Sequence, residues 1–200
     1  MFILTSAKHF ENCNDSIYRV RDAVLEKNYL DAGYHQHERS YKVKSNYKEY
    51  TIICPEFRSS TKGTESVIIL PEFLVPGRPY PVYVYMYAID IYSNAPEKGQ
   101  RWAAEKTRKK FRLASFAHTT LGRALKSFTH TIGKFTGTTA DSFQAINKPG
   151  FPSTQSTTTL RSQASQFIKS VLPRAERQQP IVAYGKLAAA WFREHIRFLL

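Results

Sequence analysis

At 200 residues, with 42% hydrophobic and 14% aromatic side chains, the chain has apolar material for one ordinary domain, or a compact domain with appendages. That composition excludes a disordered chain, and a core of this size does not need disulfides. The two cysteines, Cys13 and Cys54, stand far apart and fit the reduced thiols of a cytosolic protein. The net charge of +13 is placed one-sidedly. Residues 1–96 carry 11 Lys/Arg against 11 Asp/Glu, whereas residues 97–134 carry ten against only Glu97 and Glu105. Residues 161–200 add seven against Glu176 and Glu194. Such a block costs self-repulsion, so it points to an anionic partner, nucleic acid ahead of a membrane surface. The apolar run Phe2–Leu4 has no basic segment before it and no small-residue cleavage site after it. No stretch approaches the roughly 20 apolar residues that cross a bilayer. The expectation is a cytoplasmic, nucleoid-associated protein with no membrane partner.

In chain order, Ile17, Val20, Val24 and Leu25 repeat at helical spacing and predict a helix over 15–27. After Gly33, the β-branched and aromatic runs Tyr41–Lys44 and Tyr47–Ile53 predict a hairpin turning at Ser45-Asn46. The polar turn Arg58–Gly63 leads to a third strand, Ser66–Leu70, closed by Pro71. Four prolines between Pro71 and Pro81 make a stiff connector packed along its length. Pro81–Ser93 reads as either strand or helix, and its unbroken length from a proline favours helix. Helices are predicted over Gln100–Phe111 and Phe116–Phe128, then Arg161–Leu172 and Ile181–Leu200, the last two separated by Pro173 and Pro180. Between them, Thr129–Thr159 is rich in Ser, Thr and Gly and reads as a linker.

The segment Ser115–Phe128 carries the sharpest signal. Ser115 suits an N-cap, and Ala117, Leu121, Ala124, Leu125 and Phe128 share one face. The other face presents His118, Thr119, Thr120, Arg123 and Lys126, hydroxyls and cations suited to base edges and phosphates. The preceding helix turns Trp102, Ala103 and Phe111 to the core, leaving Arg101, Lys106, Arg108, Lys109, Lys110 and, just past its end, Arg112 for a phosphate backbone. Two such helices match a helix-turn-helix whose second helix enters the major groove, although the usual turn glycine is absent and Leu113, Ala114 and Ser115 stand there. The plainer reading is a basic helical hairpin with a solvated face.

The run Ile69-Leu-Pro-Glu-Phe-Leu-Val-Pro76 and the two helices after it resemble a group of uncharacterised, transposon-associated bacterial proteins. In those proteins a small zinc ribbon, a Leu-Pro-x-x-Leu-x-Pro connector and a helix-turn-helix follow one another. His37-Glu-Arg-Ser-Tyr41 and Tyr50-Thr-Ile-Ile53 are similar to the ribbon's hairpin. The resemblance covers roughly residues 35–130 and implies DNA binding, not a reaction. It also implies a Cys-x-x-Cys near Arg58–Thr64, where this chain has no thiol. Cys13, Cys54, His35 and His37 form no pair of ligand pairs, so no metal is expected. A degenerate ribbon would rest on apolar packing of Ile52, Ile53, Val67, Ile68 and Ile69 instead.

No catalytic residues are expected, and no cofactor. After Phe128 the acidic residues are Asp141, Glu176 and Glu194 alone, without the strand pattern a two-metal site needs. Serine-nucleophile, phosphate-loop and His-Glu-x-x-His motifs are absent. The fold class expected is α+β: a small antiparallel β unit, then a mainly helical region. The organisation expected is 1–76 for the N-terminal helix and β unit, 77–134 for the helix-turn-helix, 135–160 for the linker and 161–200 for C-terminal helices. The partner expected is double-stranded DNA, read by helix 116–128 in an accessory transposition factor or regulator. A homodimer would follow from how such readers meet palindromic sites. The alternatives are a protein-interaction module, suggested by the stripe Val182, Leu187, Ala190, Trp191, Ile196 and Leu199, or a decayed transposase fragment with an incidental basic surface.

Overall fold

The computed structural model describes residues 1–5, 10–61, 63–135, 157–195 and 197–200. It divides into two units, Met1–Pro81 and Val82–Leu200, the first sheet-rich and the second helical. The α+β class is therefore seen, but the sheet is neither small nor purely antiparallel.

In the first unit, strands β1 (Phe2–Thr5), β2 (Phe10–Asn14) and β3 (Ile17–Val20) precede helix α1 (Ala23–Asp31), and β4 (Tyr34–Ser45), β5 (Lys48–Ser59) and β6 (Val67–Pro71) follow. β4 pairs antiparallel with β5 over its full length. The opposite edge of β5 is shared by β3, parallel at Thr51–Ile53, and β6, antiparallel at Glu56–Phe57 of β5. β1 adds to β6 in parallel and β2 adds to β3 antiparallel. The predicted helix over 15–27 is corrected. Ile17–Arg19 are strand, and the helix starts at Ala23 because Asp22 caps it. The Asp22 carboxylate accepts the Leu25 amide at 3.2 Å, and Glu26 accepts the Asp22 amide at 2.8 Å. Val24, counted toward the apolar face, is 70% exposed.

The hairpin is present but turns one residue later than predicted, at Asn46-Tyr47, both with positive φ (46° and 60°). Moving both turn residues by one shifts the pairing by two, so the same alternating faces still meet. The observed register sets Val43 opposite Tyr50 and Tyr41 opposite Ile52, so apolar groups share a face. Ile52, Val67, Ile68 and Ile69 are buried and Ile53 half-buried within this sheet. The proline-rich connector buries Leu74, Val75 and Tyr80 and stacks Phe73 on Phe10 at 5.6 Å.

In the second unit, α2 (Val82–Ser93) is surrounded by α3 (Gln100–Lys110), α4 (His118–Phe135), α5 (Thr157–Val171) and α6 (Pro180–His195). Nine of its twelve residues are buried, which is why its pattern is apolar all round and resembled a strand. The helices expected as separate regions, before and after the linker, thus pack together around α2. Phe128 of α4 meets Phe167 of α5 edge-on at 5.5 Å, and Phe167 meets Trp191 of α6 at 5.7 Å.

Helix bounds differ from expectation at several ends. α4 begins at His118, not Phe116, and runs to Phe135, while α5 already starts at Thr157. The linker is correspondingly shorter than predicted, and its remainder, 136–156, lies outside the described residues. α6 stops at His195 rather than Leu200. A polar node ties three of the helices together. Asp90 of α2 accepts from Tyr184 at 2.6 Å, Arg177 at 2.9 Å and Asn94 at 2.6 Å, while Ser165 of α5 donates to Asn94 at 3.1 Å. Burial, then the Asp90 charge, drive the Tyr184 hydroxyl well above its ordinary range, so it stays a proton donor.

Candidate nucleic-acid interface

The structural division sharpens the charge partition. Residues 1–81 carry 11 Lys/Arg and ten Asp/Glu, and residues 82–200 carry 18 and six. Some of those 18 cations are committed to the fold. Arg177 is spent on Asp90. Arg161 of α5 donates to the carbonyls of Ala95, Pro96 and Lys98 and lies 4.1 Å over the Tyr92 ring. Both fasten helices from within.

The cations of α3 and α4 are placed differently. In α3, Ala103, Ala104 and Thr107 turn inward, the Thr107 hydroxyl donating to the Ala103 carbonyl at 2.8 Å, and Trp102 is half-buried. Arg101, Lys106, Lys109 and Lys110 are exposed, and Arg108 is partly so. Arg108 and Lys109 are not idle. Glu105 accepts two hydrogen bonds from Arg108, both 2.9 Å, and pairs with Lys109 at 3.5 Å. The hydrogen bonds from Arg108 hold the Glu105 carboxyl down to about 2, so it remains an anion on this cationic face.

In α4, Leu121, Ala124, Leu125, Phe128 and Ile132 are buried. Opposite them, Thr119, Arg123, Lys126, His130 and Lys134 recur at intervals of three and four and are all exposed, a straight stripe along the helix. His118 is exposed and Thr120 half-buried. Ala117, expected on the apolar face, is exposed instead. Gly122 permits a close approach: a Cβ there would come 3.1 Å from Oε1 of Gln100, so the first turn of α3 lies against the second turn of α4. Two exposed basic residues, His130 and Lys134, extend this face beyond the residues identified from sequence. The i+3/i+4 spacing from Arg123 and Lys126 was the signal that could have found them.

The connector between α3 and α4 spans residues 111–117, longer than the roughly three to four residues of a tight helix-turn-helix turn. Ser115 is not the N-cap, because α4 starts three residues after it. The delay has a packing cause. Leu113 and Phe116 are both buried, and Phe116 lies 6.0 Å from the Tyr85 ring of α2, which draws the backbone inward before a helix can begin. Phe111 likewise packs on Tyr83 and Tyr87 of α2, at 5.6 and 5.3 Å. The end of α3 is a complete Schellman closure. The Arg112 amide donates to the Lys109 carbonyl at 3.3 Å, the Leu113 amide donates to the Arg108 carbonyl at 2.9 Å, and Arg112 has φ +48°.

The groups considered for metal are not gathered. Cys13 is exposed on β2, and Cys54 is buried on β5, where desolvation pushes its thiol up to about 12. His35 is hydrogen-bonded to Ser60 at 2.8 Å, and His37 is exposed on β4. Among the described residues no cluster of three or more His, Cys, Asp or Glu side chains could hold a metal ion. Of the three acids weighed for a two-metal site, Glu176 and Glu194 are exposed on separate elements and Asp141 lies outside the described residues. The apolar stripe expected near the C-terminus, which extends beyond α6, is only partly buried. Leu187, Trp191 and Leu199 are buried, Val182 and Ala190 are exposed, and Ile196 lies outside the described residues. Among the described residues no helix is long and apolar enough to cross a membrane. Comparison with protein-family models, curated proteins and solved structures finds no match.

Proposed function

We propose that the helical unit binds double-stranded DNA through the solvent faces of α3 and α4, with α4 as the element that reads sequence. One observation carries this reading. Arg101, Lys106, Lys110, Arg112, Arg123, Lys126 and Lys134 are all exposed and have no hydrogen-bonding or ionic partner among the described residues. Cations left free on two successive helices gain nothing for the fold and repel one another. A polyanion relieves that repulsion and releases its own counterions on binding.

The division of labour follows from side-chain chemistry. Lys106 and Lys110 supply phosphate contacts, which orient the protein without reading sequence. Arg123 and Lys126, flanked by Thr119, stand on the exposed stripe of α4, and an arginine there can meet guanine O6 and N7 together. The long connector makes this a relaxed variant of the two-helix reader rather than its tight form. The resemblance to transposon-associated proteins gives the reading its biological setting, an accessory factor or regulator of a mobile element.

Selection from a random duplex library tests the proposal. The fragments retained by the wild-type protein should share a motif. Arg123→Ala should lose that preference, at a cost of about 1–3 kcal/mol in discrimination, while keeping most of its non-specific affinity. Fragments without a shared motif would contradict sequence reading by α4.

A further inference from the structure

Glycine is the residue of the position that Arg112 occupies. In a Schellman closure the residue after the C-cap adopts the left-handed conformation, where a Cβ crowds the following carbonyl and an L-residue is strained. Both hydrogen bonds of the closure are made at Arg112 and Leu113, and Leu113 is 1% exposed, so the conformation is held from both sides. The side chain contributes nothing visible in return. Arg112 is exposed and has no hydrogen bond or ion pair from its side chain among the described residues. It stands between free Lys110 at the end of α3 and exposed His118 at the start of α4.

We propose that Arg112 holds a phosphate of the bound duplex, its guanidinium serving the ligand at a backbone position where the fold alone would favour glycine. Strain retained at an exposed, charged residue is the pattern of a group held for function rather than for folding. An arginine is apt because its planar fork can take two phosphate oxygens at once. This assignment rests on the reading of the α3–α4 face as a duplex-binding surface.

The test uses the full chain, a fluorescently labelled random-sequence duplex, a salt titration and thermal melting. Arg112→Gly should melt about 2–4 °C higher than the wild type, because the strain is relieved. The same variant should bind about three- to tenfold more weakly, with the salt slope lowered by about one. Arg112→Ala keeps a Cβ, so it should weaken binding equally and melt no higher than the wild type. Arg112→Lys should keep most of the salt slope. A glycine variant that binds as tightly as a binding-competent wild type, or that melts no higher, overturns the role of Arg112 alone. A wild-type chain that fails to bind the duplex at low salt overturns the face itself.

Discussion

Glu105 is the residue on which the electrostatics of the face turn. Its carboxylate takes both Arg108 hydrogen bonds and a share of Lys109, so on the proposed reading a phosphate would compete with an anion already in place. Glu105→Gln should therefore strengthen duplex binding several-fold and steepen its salt dependence, since one negative charge is lost and two cations are released. Glu97→Gln, in the same block but without an ion pair among the described residues, is the control. Equal effects of the two substitutions would mean that the Glu105 pairings do not matter. Glu56 poses a separate question of stability. It is buried on β5, with Arg58 at 3.0 Å and Arg39 at 3.8 Å, and the hydrogen bond from Arg58 lowers its pKa despite desolvation. A carboxyl whose folded pKa lies below its unfolded value contributes stability above the unfolded value, about 4.3, and loses it as pH falls through the folded value. Glu56→Gln should cost about 1–3 kcal/mol in denaturant unfolding at pH 7, and the difference from wild type should shrink at pH 3. A difference unchanged between the two pH values would refute the linkage.

At the scale of elements, α4 has a buried face and an exposed basic face, and substitutions on the two should separate cleanly. Leu121→Ala should lose about 2–5 kcal/mol of stability, because the fully buried side chain leaves a cavity between α4 and its neighbours. Arg123→Ala should change stability by no more than about 0.5 kcal/mol. Unfolding curves of the two variants check this directly, and a strongly destabilised Arg123→Ala would place that side chain inside the fold. The two faces of α4 were legible because a half-buried helix writes its burial as a 3.6-residue period. Where elements are set by long-range pairing, the sequence was mute. β3 has the helical spacing of Ile17 and Val20, yet it is drawn into the sheet by Thr51–Ile53, more than thirty residues away. β1 and β2 were missed for the same reason. The hairpin turn moved by one because Asn46-Tyr47, without glycine, gives no local sign of two positive φ values. The start of α4 moved because burial of Phe116 outweighed the capping preference of Ser115.

On the scale of the whole chain, charge and architecture divide near the same place. The sheet-rich unit is close to neutral, and the helical unit holds nearly all of the excess. Within that unit the cations sort by partner: Arg161 and Arg177 brace the helices, Arg108 and Lys109 are shared with Glu105, and seven on and beside α3 and α4 are free among the described residues. Those seven all lie in the basic block of residues 97–134, and composition along the chain led to all of them but Lys134. Which cations the fold itself occupies was not legible that way, because Asp90 and Arg177 are 87 residues apart in the chain. The most direct measurement is the salt dependence of binding to a random-sequence duplex by the intact protein. Plotted as log K against log salt concentration, binding should fall with a slope steeper than about −3, approaching about −6 if each free cation meets a phosphate. A slope near zero, or no binding at low salt, would contradict duplex binding by the α3–α4 face.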